Sequence, residues 1–353
     1  MPLLNRVVLR EVVQEAVVVE TGINPVRAFG RQRGVALITV LLVMVIAIAA
    51  VTHAITRDQI AITRSGALLA NTQLAEFVAG AEAWARVALE KDFEEDKAAT
   101  DAADHALEAW AAPALQFNPD NGKIRINIKD LNSCFNVNTL RDSSNPNSAG
   151  FKIFQRLVRN VTGKSDLAGA IADWVDNGDT PRSTATEDDG YLGREMAHRT
   201  PDTSISDISE LSVVQGMEAE DWQKLAPFLC ALPKSDTLIN INLAPRELIE
   251  AVEPAVNWSK LEQSRESGDI LRSTGDLPLY NIRTNADRFD VHSQYFIARI
   301  AVQLGDTGDY RQYWETALWL DDSDGKAKVL QRQRRTFSLA MMQELLDGDD
   351  TRE

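Results

Sequence analysis

The chain has 353 residues, 44% hydrophobic and 25% charged, with 52 acidic against 37 basic side chains and a net charge of −15. That length allows two or three small domains with a real core. The acidic balance argues against nucleic acid, which needs clustered Lys and Arg against phosphate, and it suits divalent cations and soluble protein partners.

Residues 1–30 are long for a leader and rich in valine, with Val12, Val13, Val17, Val18 and Val19 close together. They read either as an extended leader or as a start placed too far upstream. A basic stretch, Arg31-Gln32-Arg33-Gly34, then meets an uncharged apolar run from Val35 to Val51, which Thr52 to Thr56 extend before Arg57. The 17 residues from Val35 to Val51 are at the short end for crossing a bilayer. A spanning helix and a long signal core both remain open. An ordinary secretory signal is cut after its apolar core. Here the processing point, Gly34–Val35, lies before the core, so the apolar segment would become the new N-terminus. This layout resembles a type IV prepilin-like signal. Arg27, Arg31 and Arg33 precede the run, so the positive-inside rule places the N-terminus in the cytoplasm. Everything beyond Arg57 is then expected in the periplasm of a bacterium, anchored by a single pass in the inner membrane. Residues 1–34 carry five Arg and three Glu, so their removal leaves a net charge of −17.

From Val35 a helix is expected to about residue 90. Beyond the membrane part, Ile55, Ile60, Leu68, Leu74, Phe77, Val78, Ala81, Trp84 and Val87 recur at helical spacing. Residues 92–112 are acidic and alanine-rich, and fit helix or loop. Asn121-Gly122 is a hairpin signal, and residues 123–129 alternate as a strand does. Residues 142–149 form a Ser/Asn/Pro linker. Helical segments are expected at 151–161, 166–175, 205–214, 219–229 and 245–252. Strands are expected at 294–304, 310–320 and 326–337, with Asp324-Gly325 as a turn. Strands therefore flank a helical block. The simplest topology is a small α+β head carrying an inserted all-α domain.

Two cysteines, Cys134 and Cys230, are a candidate disulfide in an oxidising compartment, or else two buried thiols. Four histidines, His53, His105, His198 and His292, lack ligand spacing, and no Gly-x-Ser-x-Gly or phosphate-binding glycine loop occurs. No catalytic constellation is visible, so the chain is not expected to be an enzyme.

Several motifs then occur in order. They are Arg33-Gly34-Val35-Ala36-Leu37-Ile38-Thr39, Cys134-Phe135-Asn136-Val137-Asn138-Thr139-Leu140, Ala172-Asp173-Trp174-Val175-Asp176-Asn177-Gly178-Asp179-Thr180-Pro181, Glu187-Asp188-Asp189-Gly190-Tyr191, Ile208-Ser209-Glu210-Leu211 with Gly216, Pro227-Phe228-Leu229-Cys230, and Ile239-Asn240-Ile241-Asn242-Leu243-Ala244. In this order, over residues 31–337, the chain resembles the K-type minor pseudopilins of bacterial type II secretion systems. The resemblance implies a pilin-like α+β fold: a long N-terminal helix, an antiparallel sheet and an inserted helix-hairpin-helix or SAM-like domain. The expected layout is a leader over 1–34, a transmembrane helix over 35–56, the first part of the head over 57–141, the insert over 142–265, returning strands over 266–339 and an acidic tail over 340–353. It also implies cleavage after Gly34 by the prepilin peptidase, with methylation of the new N-terminus at Val35. The implied place is the tip of a short periplasmic filament, with the I- and J-type minor pseudopilins, other pseudopilins and the inner-membrane secretion platform as partners. There the chain would initiate or cap assembly and support export of folded proteins.

Thr39 would be the fifth residue after cleavage. Most pilins have Glu there, and the K type is known for lacking it. A carboxylate inside a membrane is costly without a partner, and a tip subunit has no subunit ahead of it to supply one. The plainer reading of Thr39 is an ordinary residue of a signal anchor. The acidic loop 173–189 suits calcium, which takes six to eight oxygens from flexible carboxylate-rich loops. The family is similar to proteins that bind Ca2+ in this region. Asp176, Glu187 and Asp188 match its pattern directly, while Gly178 stands where a further acid is usual and Asp179 is displaced by one. A solvated acidic loop is the alternative, and the spacing is not that of an EF-hand. The segment 239–245 and the turn 214–217 look like helix-hairpin-helix elements, read here as a scaffold for protein contact. A membrane-anchored periplasmic DNA-uptake protein is the second functional reading, and it would need a basic face on the helical block.

Overall fold

A computed structural model describes residues 35–99, 102–112, 115–141, 148–178, 181–182, 188–193, 197–305, 310–336 and 345. Gly34, Asp179 and Glu187 lie outside the described residues, as does the acidic tail apart from Leu345. The chain divides into two units, Met1–Gly66 and Ala67–Glu353.

Helix α1 (Val35–Ala98, 64 residues) begins in the first unit. Every side chain from 35 to 66 is exposed. By length and composition this helix can cross a membrane. Its first part, Val35 to Val51, is apolar on every side and uncovered, and such a stretch needs lipid or other subunits around it. The Thr39 and Thr56 hydroxyls donate back to the carbonyls of Ala36 and Thr52 at 2.9 Å, so neither is left without a partner in an apolar medium.

In the second unit α1 becomes one-sided. Ala70, Leu74, Val78, Ala81, Ala85 and Leu89 recur every three or four residues and are buried. The elements that follow are strands β1 (Leu115–Phe117), β2 (Gly122–Asp130) and β3 (Phe135–Asn136). Helices α2 (Ala149–Thr162), α3 (Asp166–Val175), α4 (Asp188–Leu192) and α5 (Ala219–Leu225) come next. Strands β4 (Leu229–Cys230) and β5 (Ile239–Asn240) precede helices α6 (Arg246–Val252) and α7 (Trp258–Ser267). The chain then makes β6 (Phe289–Asp290), β7 (Tyr295–Leu304), β8 (Tyr310–Asp321) and β9 (Lys326–Arg334).

The main sheet has the order β1-β2-β7-β8-β9, and every neighbouring pair is antiparallel. Strands β2 and β7 lie side by side from Gly122↔Leu304 to Asp130↔Phe296. All the helices after α1 therefore fall between two neighbouring strands of one sheet, and the helical block is an insertion. Alternation sends Ile126, Ile128, Phe296, Ala298, Ile300 and Val302 to the face that α1 covers. A separate cluster fills the block, from Phe135 and Val137 through Phe154, Leu157 and Ile171 to Leu248, Leu277 and Val291.

Two charged side chains of α1 fix it on the sheet. Glu82, buried on α1, is paired with Arg332 of β9 and also receives the Thr316 hydroxyl. Arg86 Nε donates to the Ala327 carbonyl at 2.8 Å. The hairpin turns behave as their residues dictate. Asn121 adopts φ 59° before β2, and Gly325 adopts φ 66° before β9. A Cβ on Gly325 would also come within 2.6 Å of the Phe93 ring.

Three expectations change in detail. The helix foreseen over 205–214 is a 3₁₀ turn, Ile208–Val213, closed by a capping box between Asp207 and Glu210. The helix foreseen over 219–229 stops at Leu225, because Pro227 enters a 3₁₀ turn and the chain extends into β4. The first helix runs on to Ala98 instead of ending near residue 90.

Candidate functional sites

The processing junction is half described. Val35 opens α1, and Gly34 lies outside the described residues.

The two cysteines sit on different elements, one just before β3 and one in β4. Parallel pairing of these strands, Phe135↔Leu229 and Asn136↔Cys230, brings them together. They form a disulfide with Cα atoms 5.8 Å apart, packed with Leu232, Tyr295, Leu131 and Trp319. Tyr295 and Trp319 belong to the main sheet, so the bridge lies where the head meets the start and end of the first half of the block.

The acidic loop begins at the C-terminus of α3. Asp176 is 3% exposed. It is paired with the buried Arg182 and accepts the Gly178 N–H. Asp173, one turn earlier, accepts the Arg182 N–H at 2.8 Å. Burial, opposed by Arg182, pushes the Asp173 carboxyl up to about 6. Burial raises Asp176 as well, and Asp202 adds repulsion. Asp188 opens α4, pairs with Arg199 at 2.8 Å, and accepts the N–H and hydroxyl of Thr200. Of the four predicted ligands, the structure thus describes Asp176 and Asp188, each beside an arginine, while Asp179 and Glu187 are outside the described residues. Two further carboxylate oxygens here, Asp173 Oδ1 and Asp202 Oδ1, are buried without a hydrogen bond. Oxygen-rich, under-satisfied carboxylates are a donor set that fits calcium, and in this structure Arg182 pairs with Asp173 and Asp176.

The residues least legible as functional are the asparagines of the two Asn-x-Asn motifs. Asn138 Nδ2 donates to the carbonyls of Ile205 and Leu232, and its Oδ1 accepts the Ile205 N–H. Asn136 reaches Lys234 and Leu232 in the same manner. In the second motif Asn242 exchanges two hydrogen bonds with Leu271, and Asn240 Nδ2 bonds the Asp104 carbonyl and Ser293. Each motif ties a short strand to a loop about 30 to 100 residues away in sequence. The sequence signal was the repeated spacing itself, with apolar residues between the amides.

A long helix laid over an antiparallel sheet, with a helical block inserted between adjacent strands and closed by a disulfide, is a pilin-like head with an added domain. The family model for type II secretion system protein K matches residues 133–234. The type II secretion system protein K of Pectobacterium carotovorum subsp. carotovorum is 30% identical over 332 residues, covering 86% of this chain and 96% of that protein. The Pseudomonas aeruginosa protein of the same name is 31% identical over 313 residues, covering 85% and 92%. Among solved structures, the GspK-GspI-GspJ complex of the type 2 secretion system from enterotoxigenic Escherichia coli contains a chain that matches with a TM-score of 0.66 at 22% identity. The match covers 78% of this chain and all of that one. The chain belongs to the type II secretion system protein K family, the minor pseudopilins whose fold it shares.

Proposed function

We propose that this chain occupies the tip of a type II secretion pseudopilus. There it initiates or caps the filament with I- and J-type minor pseudopilins and supports export of folded proteins from the periplasm. The observation that carries this reading is Thr39, together with the insertion between β2 and β7. The hydroxyl bonds internally and offers no charge to a neighbour's amino group, and a block of this size is awkward to repeat along a thin shaft. The solved complex that contains a similar chain also contains GspI and GspJ, which supports the choice of partners. Residues 35–56 would cross the inner membrane once, with the body in the periplasm, after cleavage between Gly34 and Val35 by the prepilin peptidase and methylation of Val35. The other pseudopilins and the secretion platform would receive the complex. Purification from membranes that express all three minor pseudopilins should yield an equimolar assembly, and labelling should mark filament ends. Regular labelling along shafts would refute the tip position.

The second part of the proposal concerns the acidic loop. Asp176 and Asp188, with Asp179 and Glu187, would hold a structural Ca2+, releasing Arg182 to solvent. The chelated protein should then melt lower than the calcium-loaded one, and Asp176→Asn with Asp188→Asn should remove that difference. Equal melting of the wild type in calcium and chelator, with no metal by elemental analysis, would remove the claim.

A further inference from the structure

The outer face of the main sheet, opposite α1, is covered at one end. A sheet packed on one side alternates buried and exposed positions. Strand β9 does so along most of its length. Strands β2 and β7 do not. Arg125 to Ile128 and Ile300 to Gln303 are buried without a break, as in strands covered on both faces. Ile126, Ile128, Ile300 and Val302 pack on the α1 side, so Arg125, Asn127, Ala301 and Gln303 lie on the outer one. Ala301 is 0% exposed, and Arg125 and Gln303 are each 4% exposed. Among the described residues, Ala301 joins none of the apolar clusters of the head or the block. Toward the block the same face opens again, with Lys129 exposed and Ile297 half-buried.

A second buried side chain is independent of that face. Leu345, in the C-terminal segment, is 5% exposed, and it too joins none of those clusters. Around it Leu339, Met342, Leu345 and Leu346 recur at helical spacing, and Gly348 follows as a stop signal. An apolar stripe of this kind needs a surface to lie on.

The chain leaves the sheet at the right place to supply that match. Arg335 N–H bonds the Tyr313 carbonyl, so the chain departs from the row that holds Tyr313, Ala301 and Arg125. From β9 to β2 this row crosses three strand spacings, about 14 Å. Ten helical residues, 337–346, are about 15 Å long. Charge agrees with length. Around the row stand Lys123, Arg125, Arg299, Arg311 and Arg335, with Glu315 and, from the block, Asp207 as the acids. This face is basic in a chain of net charge −15, and residues 344–353 hold five acids and one Arg. Opposite potentials of this kind set the register of two surfaces.

We infer that residues 337–346 of this chain dock as a short amphipathic helix across the outer face of the sheet, over Ala301, Arg125 and Gln303, with Leu345 as the buried anchor. The direction of travel, from β9 to β2, brings the acidic end of the segment to Lys123 and Arg125. The docked segment closes this end of the head to other chains, so partner subunits meet the head through its remaining surfaces.

The test uses the full chain in detergent, with its disulfide intact and one thiol added by substitution. Ala301→Cys should react slowly with a maleimide. Ending the chain at Thr336, or Leu345→Asp in the full-length chain, should speed that reaction about 10- to 100-fold, the factor set by burial of one leucine. Ala298 is 0% exposed on the α1 side of the same strand. Ala298→Cys should therefore stay slow in both backgrounds, which separates undocking of the segment from loss of the fold. An Ala301→Cys thiol that reacts as slowly without the segment as with it would overturn the inference, and protection that then falls on dilution would assign the face to a second copy of the chain. Faster reaction at Ala298→Cys and Ala301→Cys alike would overturn it too, since the segment would then support the whole head and not this face.

Discussion

Asn138 illustrates how one side chain can hold two distant segments. Its amide satisfies the N–H and carbonyl of Ile205 and the carbonyl of Leu232, all inside the block. Alanine at this position leaves those backbone groups buried and unpaired, and an orphaned buried group costs about 1–3 kcal/mol. Asn138→Ala should lower the unfolding free energy by about 2–4 kcal/mol in a denaturant titration of the full chain. Asn257 gives the contrast. It caps α7 by accepting the Lys260 N–H at an exposed site, so Asn257→Ala should cost about 1 kcal/mol. Equal costs at the two positions would show that burial of the clamp is not what matters. Asn138 stands in a sequence motif, yet its role was not legible there. Its partners are 67 and 94 residues away, and nothing local announces them.

At the scale of elements, legibility follows the strength of the local pattern. Strand β2 was readable because Ile124, Ile126 and Ile128 alternate against one face, and α2 because its apolar residues keep helical spacing over three turns. Helix α7 gives no such signal, for Leu261 is the one residue it buries. The two-residue strands β3 to β6 are too short for any periodicity, and their pairing is tertiary. The acidic side chains followed the same rule. The acidic run 173–189 stands out in sequence, whereas Asp92, Asp96, Asp104 and Glu108 meet only because α1 ends and the chain folds back beside it. The disulfide belongs to this scale too, because it locks β3 to β4 across a sequence separation of 96. Closing a loop of that length is worth about 4.7 kcal/mol in the chain-entropy model, of which disulfides typically deliver about 2–4 kcal/mol. Cys134→Ser with Cys230→Ser should lower stability by that delivered amount in oxidising buffer, and reductant should have no further effect on the variant. A variant that melts with the oxidised wild type would assign the bridge no stabilising role.

For the whole molecule, the two units pose opposite solvation problems. The second buries its apolar residues in its own clusters and carries the acidic surface, while residues 35–66 bury none of theirs. The exposed apolar stretch from Val35 to Val51 calls for lipid or other subunits around it, and the proposed tip position says which. A shaft subunit sits between two neighbours and can hold a charge in its apolar helix through a neighbour's amino group. A leading subunit can do so on one side alone. Thr39→Glu places a carboxylate in the first turns of the span, where a leading subunit has no partner for it, and its cost lies below the about 2.5–3.5 kcal/mol that insertion scales give a charge at the bilayer centre. The variant should still fold, since Thr39 is exposed and its hydroxyl bonds the Ala36 carbonyl within α1. Its initiation of filaments should fail, with fewer pseudopili per cell and a parallel loss of secretion. Thr39→Val, which removes the hydroxyl without adding charge, should behave as the wild type. Normal secretion from Thr39→Glu, with the label still at filament ends, would show that the missing carboxylate has no bearing on the tip position.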